Sequence, residues 1–222
     1  MSDRYLHVVL YDLFRYVPLA PKVVRDIRRR MCAPGRHYHN LCHLAEMWQR
    51  HRTMARGTLR TPRTNRLVAS AIAFHDAVFD TRRADNEAAS AILWRRLAGQ
   101  SRRIPRELIQ QVAVAIEATG RHLEPNLSGA YEGWVQWVLD LDLVPIATSR
   151  NRFVANGSRL RSEQSHLSAA AWHACESRFY AALQQRQSIF HSPRMVAVFE
   201  ANARLHLGQA LQKRSKVDVT NR

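Results

Sequence analysis

The chain lacks the marks of a strand protein, a secreted miniprotein and a membrane protein. Alternating apolar and polar residues, the pattern of a half-buried strand, are almost absent. Cysteine occurs three times, as Cys32, Cys42 and Cys175, widely spaced and without a C-x-x-C pair. That excludes a disulfide framework and a structural zinc site, and it fits a reducing cytoplasm. The longest apolar stretch, Trp134 to Ala147, is cut by Asp140 and Asp142 and falls short of the ~20 residues that cross a bilayer. The opening MSDRYLHVVLYDLF has Asp3 and Asp12 flanking its short apolar stretch, unlike the basic-then-apolar layout of a secretory signal. Neither export nor a membrane partner is expected, and the localisation expected is cytoplasmic. Internal repeats, low-complexity linkers and sharp composition shifts are also missing. The expectation is therefore one helical domain over 1–212 and a polar, frayed tail over 213–222.

Acids are scarce. Eighteen Asp plus Glu face thirty-four Lys plus Arg for a formal charge of +16, and only Lys22, Lys213 and Lys216 are lysines. Genome base composition can exchange lysine for arginine, but it does not make acids few. From Met47 to His75, Arg50, Arg52, Arg56, Arg60, Arg63 and Arg66 occur with no acid at all. A surface of this sign gathers anions, so phosphate-bearing partners come first. No helix-turn-helix, RNA-binding or zinc-finger signature accompanies the charge, which makes nucleic acid the lesser expectation.

What the 222 residues do contain is apolar side chains, 46% of the total, recurring every three and four residues, the period of a helix with one face buried. An all-α bundle is the fold class expected. Pro21 suits the first turn of a helix over 21–31, ended by the turn Cys32-Ala-Pro-Gly35. The next helix is expected from near Tyr38, and a loop from Gly57 to Thr64. NRLVASAIAFHDAVF, from Asn65, reads as a central helix apolar nearly all round. Helices then follow from Asn86 and Arg106, the second with Gly120 near its end, and from Tyr131 to Ile146. Asn151 to Gln185 forms one helix or two joined near Ser168, and the last begins after Ser192-Pro193. The five tryptophans sit at helical spacing and read as core, and His173 and His191 as surface or packing residues.

Polar residues inside this apolar frame carry the chemistry. His37, His39 and His43 crowd a helix start, and His39 to His43 is an i, i+4 step that puts both rings on one face. His75 and Asp76 lie within one of the most apolar helices, where a charged carboxylate is costly to bury without a cation or a hydrogen-bonding partner. Asp140 and Asp142 in WVLDLDLVPIA have the same need. Imidazole and carboxylate together form a ligand set for a divalent metal ion, with zinc, manganese, iron, nickel, cobalt and magnesium not distinguished.

The order of these residues resembles the HD superfamily of metal-dependent phosphohydrolases, with its H, then HD, then D ligands on a helical bundle. RHYHNLCHL (36–44), AFHDAVFDTRRADNEAASA (73–91), IEATGRH (116–122), LDLDLVPIA (139–147) and IFHSPRMVAVFEANARLHL (189–207) are similar to predicted metal-dependent HD phosphohydrolases of bacteria. The resemblance implies His43, His75, Asp76 and Asp142 as metal ligands, with Asp140 competing for the last place. Tyr38-His39-Asn40 followed by His43 also resembles the cyclic nucleotide phosphodiesterases, which implies His39 as the acid that protonates the leaving group. An alternative alignment makes His39 the first ligand and places His43 behind it. Asp76 stands at the metal in the catalytic set, and Asp140 or Asp142 is the candidate to orient the attacking water.

Arg36, Thr119 and His122 are the candidates for substrate contact. Asn86 and Glu87 follow the dyad, with Asp85 as an N-cap, and Arg161 with Glu163 is a candidate for phosphate or partner-helix contact. The function expected is hydrolysis of a phosphoester or phosphoanhydride in a nucleotide or related small phosphorylated molecule. Two alternatives stand beside it: a basic nucleic-acid-binding protein that keeps the fold, and a di-iron oxygenase of HD type. The oxygenase needs more histidines than His122 between the dyad and the last aspartate. Assembly into a homo-oligomer is left open.

Overall fold

Helix starts coincide with capping signals in the chain. A computed structural model describes residues 2–124 and 133–220, with 214–220 described by backbone alone. The described residues form ten α-helices and two one-turn 3-10 helices and contain no strand, the all-α class expected. The N-terminal stretch, read above only as lacking a signal, forms α1 (Asp3–Phe14), where the Ser2 hydroxyl accepts the Tyr5 N–H. Pro21 opens α2 (Pro21–Met31), where its missing N–H costs nothing. Gly35, at φ +85°, turns the chain before α3 (Leu41–Met54). The loop expected over 57–64 is shorter than that: a 3-10 turn, Gly57–Arg60, leads directly into α4 (Pro62–Phe74), with Pro62 in its first turn and Thr61 as its cap. Next come α5 (Asn86–Gly99) and α6 (Arg106–Thr119).

The chain groups into two compact units, Met1–His122 and Leu123–Arg222, at a point where composition marks no boundary. In the first unit α4 packs against α1, α3, α5 and α6. Its residues from Leu67 to Phe74 are all buried, as nearly continuous apolarity demands of a helix surrounded by others. Phe74 meets Trp94 of α5 edge to face at 5.1 Å. Each large side chain buried in this way contributes about 1.5–3 kcal/mol.

The second unit contains α7 (Gly133–Leu143), a 3-10 turn over Val144–Ala147, α8 (Arg150–Glu163), α9 (Ala169–Gln185) and α10 (Pro193–Thr220). The start expected at Tyr131 lies outside the described residues. Ser168 settles the choice between one helix and two over 151–185, because its hydroxyl accepts the Ala171 N–H and caps α9. α10 packs against α9 and the 3-10 turn, and its backbone stays helical to Thr220, so the tail expected to fray from 213 begins inside a helix. Residues 221 and 222 lie outside the described residues. Among the described residues, no helix is long and apolar enough to cross a membrane.

Candidate metal centre

Asn40 decides where α3 begins. Its side-chain oxygen accepts the Cys42 N–H at 2.9 Å, and its amide donates to the Arg36 and His37 carbonyls. The helix therefore starts at Leu41 instead of near Tyr38, since an N-cap residue has non-helical backbone. This corrects the expected helical pairing of His39 with His43. His39 precedes the cap, and the two rings still meet, edge to face with centroids 6.1 Å apart. His39 also lies 4.6 Å from the Phe79 ring, and Tyr38 lies 5.1 Å from His43.

The His-Asp dyad sits at the end of α4 and not inside it. His75 is the C-cap, its N–H donating to the Ala71 carbonyl, and the chain turns away after Asp76. Helix C-termini carry partial negative charge from their unpaired carbonyls, which favours a cation there. His75 Nδ1 donates to the Ile72 carbonyl at 2.9 Å. A carbonyl can only accept, so Nδ1 carries a proton, and Nε2 offers a lone pair when the ring is neutral and donates when it is protonated. Nε2 lies 3.3 Å from His43 Nε2 and 2.9 Å from Asp76 Oδ2. Oδ2 is itself buried and receives no well-aligned hydrogen bond. His75 Nε2 thus meets an imidazole nitrogen and a carboxylate oxygen, contacts that a proton or a cation between them satisfies.

Electrostatics within the unit point the same way. Burial alone would raise the Asp76 carboxyl, but the imidazoles of His75, His39 and His43 outweigh it and hold the group below the ordinary carboxylate range. Asp76 is therefore an anion. The donor chemistry fits a divalent ion of the borderline class, since imidazole nitrogen and carboxylate oxygen both suit it and the His75 ring is fixed from behind by a backbone carbonyl.

Arg36 was expected to touch substrate. The fold engages it otherwise: Nη1 donates to the His39 carbonyl at 2.9 Å, Nη2 donates to the Asp76 carbonyl at 2.8 Å, and the guanidinium lies over Phe79. It ties the histidine segment to the dyad. Asn86 pairs through both amide atoms with the Asp80 backbone and closes the loop behind the dyad. Asp85 sits at the N-cap position of α5 without a side-chain capping bond and instead takes Arg83 in a two-point ion pair. Glu87 lies along Gly120, where an added Cβ would meet its carboxyl at 3.1 Å.

Asp140, expected near the attacking water or as last ligand, is fully buried. Its two oxygens accept the N–H groups of His191 and Ser192 at 2.7 and 2.8 Å, at the start of α10, and so hold that helix end. Asp142 is half-buried on α7; two residues apart on a helix is a rotation of about 200°, so the two carboxylates face different ways. Thr119 is buried and returns its hydroxyl to the Ile116 carbonyl at 2.7 Å, which occupies the proton that a phosphate contact would use. His122 lies in the turn after α6, three residues on, and does not share a helix with Thr119. Arg161 closes the turn between α8 and α9 through the Gln164 and Leu167 carbonyls, and Glu163 is buried. Trp48, Trp94, Trp134 and Trp137 are core, whereas Trp172 is only half-buried. His173 is exposed, and the His191 N–H serves Asp140.

The acid-free arginine stretch is not acid-free in space. Arg50 meets Glu46, Arg52 meets Asp12, and Arg63 meets Glu107 at 2.8 Å; Arg56 donates to the Thr53 and Ala55 carbonyls. Asn40 and Phe79 are parts of the site that residue chemistry did not single out. The asparagine at an expected helix start was the available signal for the first, and nothing local marked the second. No protein-family model, curated protein or solved structure matches the chain.

Proposed function

We propose that the protein is a metal-dependent phosphohydrolase of HD type, cleaving a phosphoester or phosphoanhydride of a nucleotide or related small phosphorylated molecule. The observation that carries the reading is the meeting of His75 Nε2 with His43 Nε2 and with Asp76 Oδ2, while His75 Nδ1 donates to a backbone carbonyl. His43, His75 and Asp76 would hold a divalent ion. Asp142 is the fourth ligand in this reading, on the strength of the ligand order in the sequence. Such an ion supplies a water of lowered pKa and a positive centre for phosphate oxygen.

The chain's own residues supply the rest. His39 lies before the cap of α3, beside Phe79 and edge-on to His43. In protonated form it is the acid that donates to the departing oxygen. Asn40 and Arg36 fix the backbone on either side of it. Asp76, held as an anion, keeps negative charge among the imidazoles, and the apolar body of α4 keeps water from behind the site.

The test is elemental analysis of the purified chain together with turnover on a panel of nucleotides and small phosphomonoesters. Bound divalent metal near one per chain and phosphate release that falls at least a hundredfold in His75→Ala are the expected results. A metal-free chain, with release unchanged by that substitution, sinks the reading.

A further inference from the structure

Within the second unit, α8, α9 and α10 enclose an open cavity of about 430 Å³. It is far from uniform chemically. Arg150 and Phe153 come from α8, Trp172 and Tyr180 from α9, and Lys213 from α10. The Arg150 guanidinium lies 5.5 Å over the Phe153 ring, and its Nη1 is buried yet makes no hydrogen bond. A buried guanidinium nitrogen without an acceptor is costly, and an anion removes the cost. Arg161, also in the wall, has both terminal nitrogens on backbone carbonyls, so it contributes charge but not a free fork.

Two further features define the ligand. Trp172, alone among the five tryptophans, is left half-buried where the other four are core; in this wall it is a stacking surface. Gly157 lies in the interior of α8, where glycine costs about 1 kcal/mol relative to alanine. Its φ is not positive, and an added Cβ would find its nearest neighbour, Glu176, at 3.8 Å, an ordinary contact. Neither backbone nor packing demands the glycine. What it leaves open is the cavity.

We propose that this cavity is a second ligand site, taking a planar aromatic molecule with one phosphate, of the nucleoside monophosphate class. The phosphate pairs with Arg150 and Lys213, and the ring lies on Trp172. Glu176 in the same wall, accepting the Tyr180 hydroxyl at 2.7 Å, opposes a longer phosphate chain by like charge. The volume is in the range of small-molecule pockets, and its openness leaves part of the ligand in water. The site shares no residue with the dyad and does not depend on the phosphohydrolase reading.

Titration of AMP into the full chain carrying His75→Ala, so that hydrolysis at the dyad plays no part, is the test, with calorimetry as readout. The expected result is one AMP per chain, bound at least tenfold more weakly after Arg150→Gln and after Gly157→Phe, which fills the cavity from a position where Cβ fits. Circular dichroism establishes that both variants keep their helix content, and a variant that loses it is replaced by Lys213→Gln, for which the same tenfold loss is expected. Absence of AMP binding overturns the proposal, as does equal affinity in the folded variants. Adenosine or inorganic phosphate binding as tightly as AMP overturns it too, since either would show that half of the recognition is absent.

Discussion

A single side chain shows how far chemistry legible in sequence can differ in role from its place in the fold. Arg36 has the right type for phosphate, yet its guanidinium joins the His39 and Asp76 carbonyls. It is a positioning residue in the proposed reaction. Loss of a residue that orients ligands costs roughly 10–100-fold in metal affinity or activity, so Arg36→Ala should lower both metal content and kcat by that order with KM little changed. Arg36→Lys should recover only part, because one ammonium cannot reproduce a two-armed fork. A raised KM with normal metal content would return Arg36 to substrate contact. His51 offers a second residue-scale test. Burial holds its imidazole down to about 4 from an ordinary 6.5, against the opposing pull of its hydrogen bond to Asn65, with Arg52 and Arg60 adding to the lowering. The unfolded chain therefore binds more protons between those values. Stability from this group is complete above about pH 6.5 and declines as pH falls toward 4, by on the order of 3 kcal/mol. Urea denaturation at pH 7 and pH 4.5 should show a smaller acid loss for His51→Gln, which keeps a donor for Asn65; an unchanged loss would show that His51 is not the group responsible.

At the scale of elements, helix ends explain both the successes and the shifts. Pro21, Pro193 and Ser168 mark starts that can be read from the chain because capping involves residues three or four positions apart. The end of α4 could not be read in this way: HDAVF continues the apolar pattern, and the chain turns after the dyad where Arg36, forty residues away, holds the Asp76 carbonyl. Asp140 is the long-range counterpart of a cap, receiving two N–H groups at the start of α10 from about fifty positions away. Replacing it by alanine strands two donors and should destabilise the chain by about 3 kcal/mol or more, measured by urea denaturation. A loss below about 1 kcal/mol would contradict that role. Asn40→Ala should cost about 1 kcal/mol as a lost N-cap, with the larger consequence that His39 is no longer held beside His43, seen as a fall in kcat greater than the stability change explains.

For the whole molecule, the +16 charge survives as a net quantity, but its distribution changes in meaning. Arg50, Arg52 and Arg63 of the acid-free stretch meet Glu46, Asp12 and Glu107, so that segment is not a bare track for anions. The field of the net charge acts over a Debye length of about 8–10 Å at physiological salt. With p-nitrophenyl phosphate as substrate, kcat/KM should fall as sodium chloride rises from low to physiological strength, with kcat nearly flat; a salt-independent kcat/KM would remove electrostatic gathering from the account. By itself the sequence determined the helical class, most helix starts and the identity of the histidines and the dyad, because periodicity, capping and residue chemistry are local. Only the tertiary structure decided that His75 Nε2 meets His43 and Asp76, that Asp140 takes the N–H groups of a helix end and that Arg36 joins two backbone carbonyls. Those assignments depend on which groups meet across tens of residues, and a hydrogen bond or a shared cation is satisfied by distance in space, which local pattern does not encode.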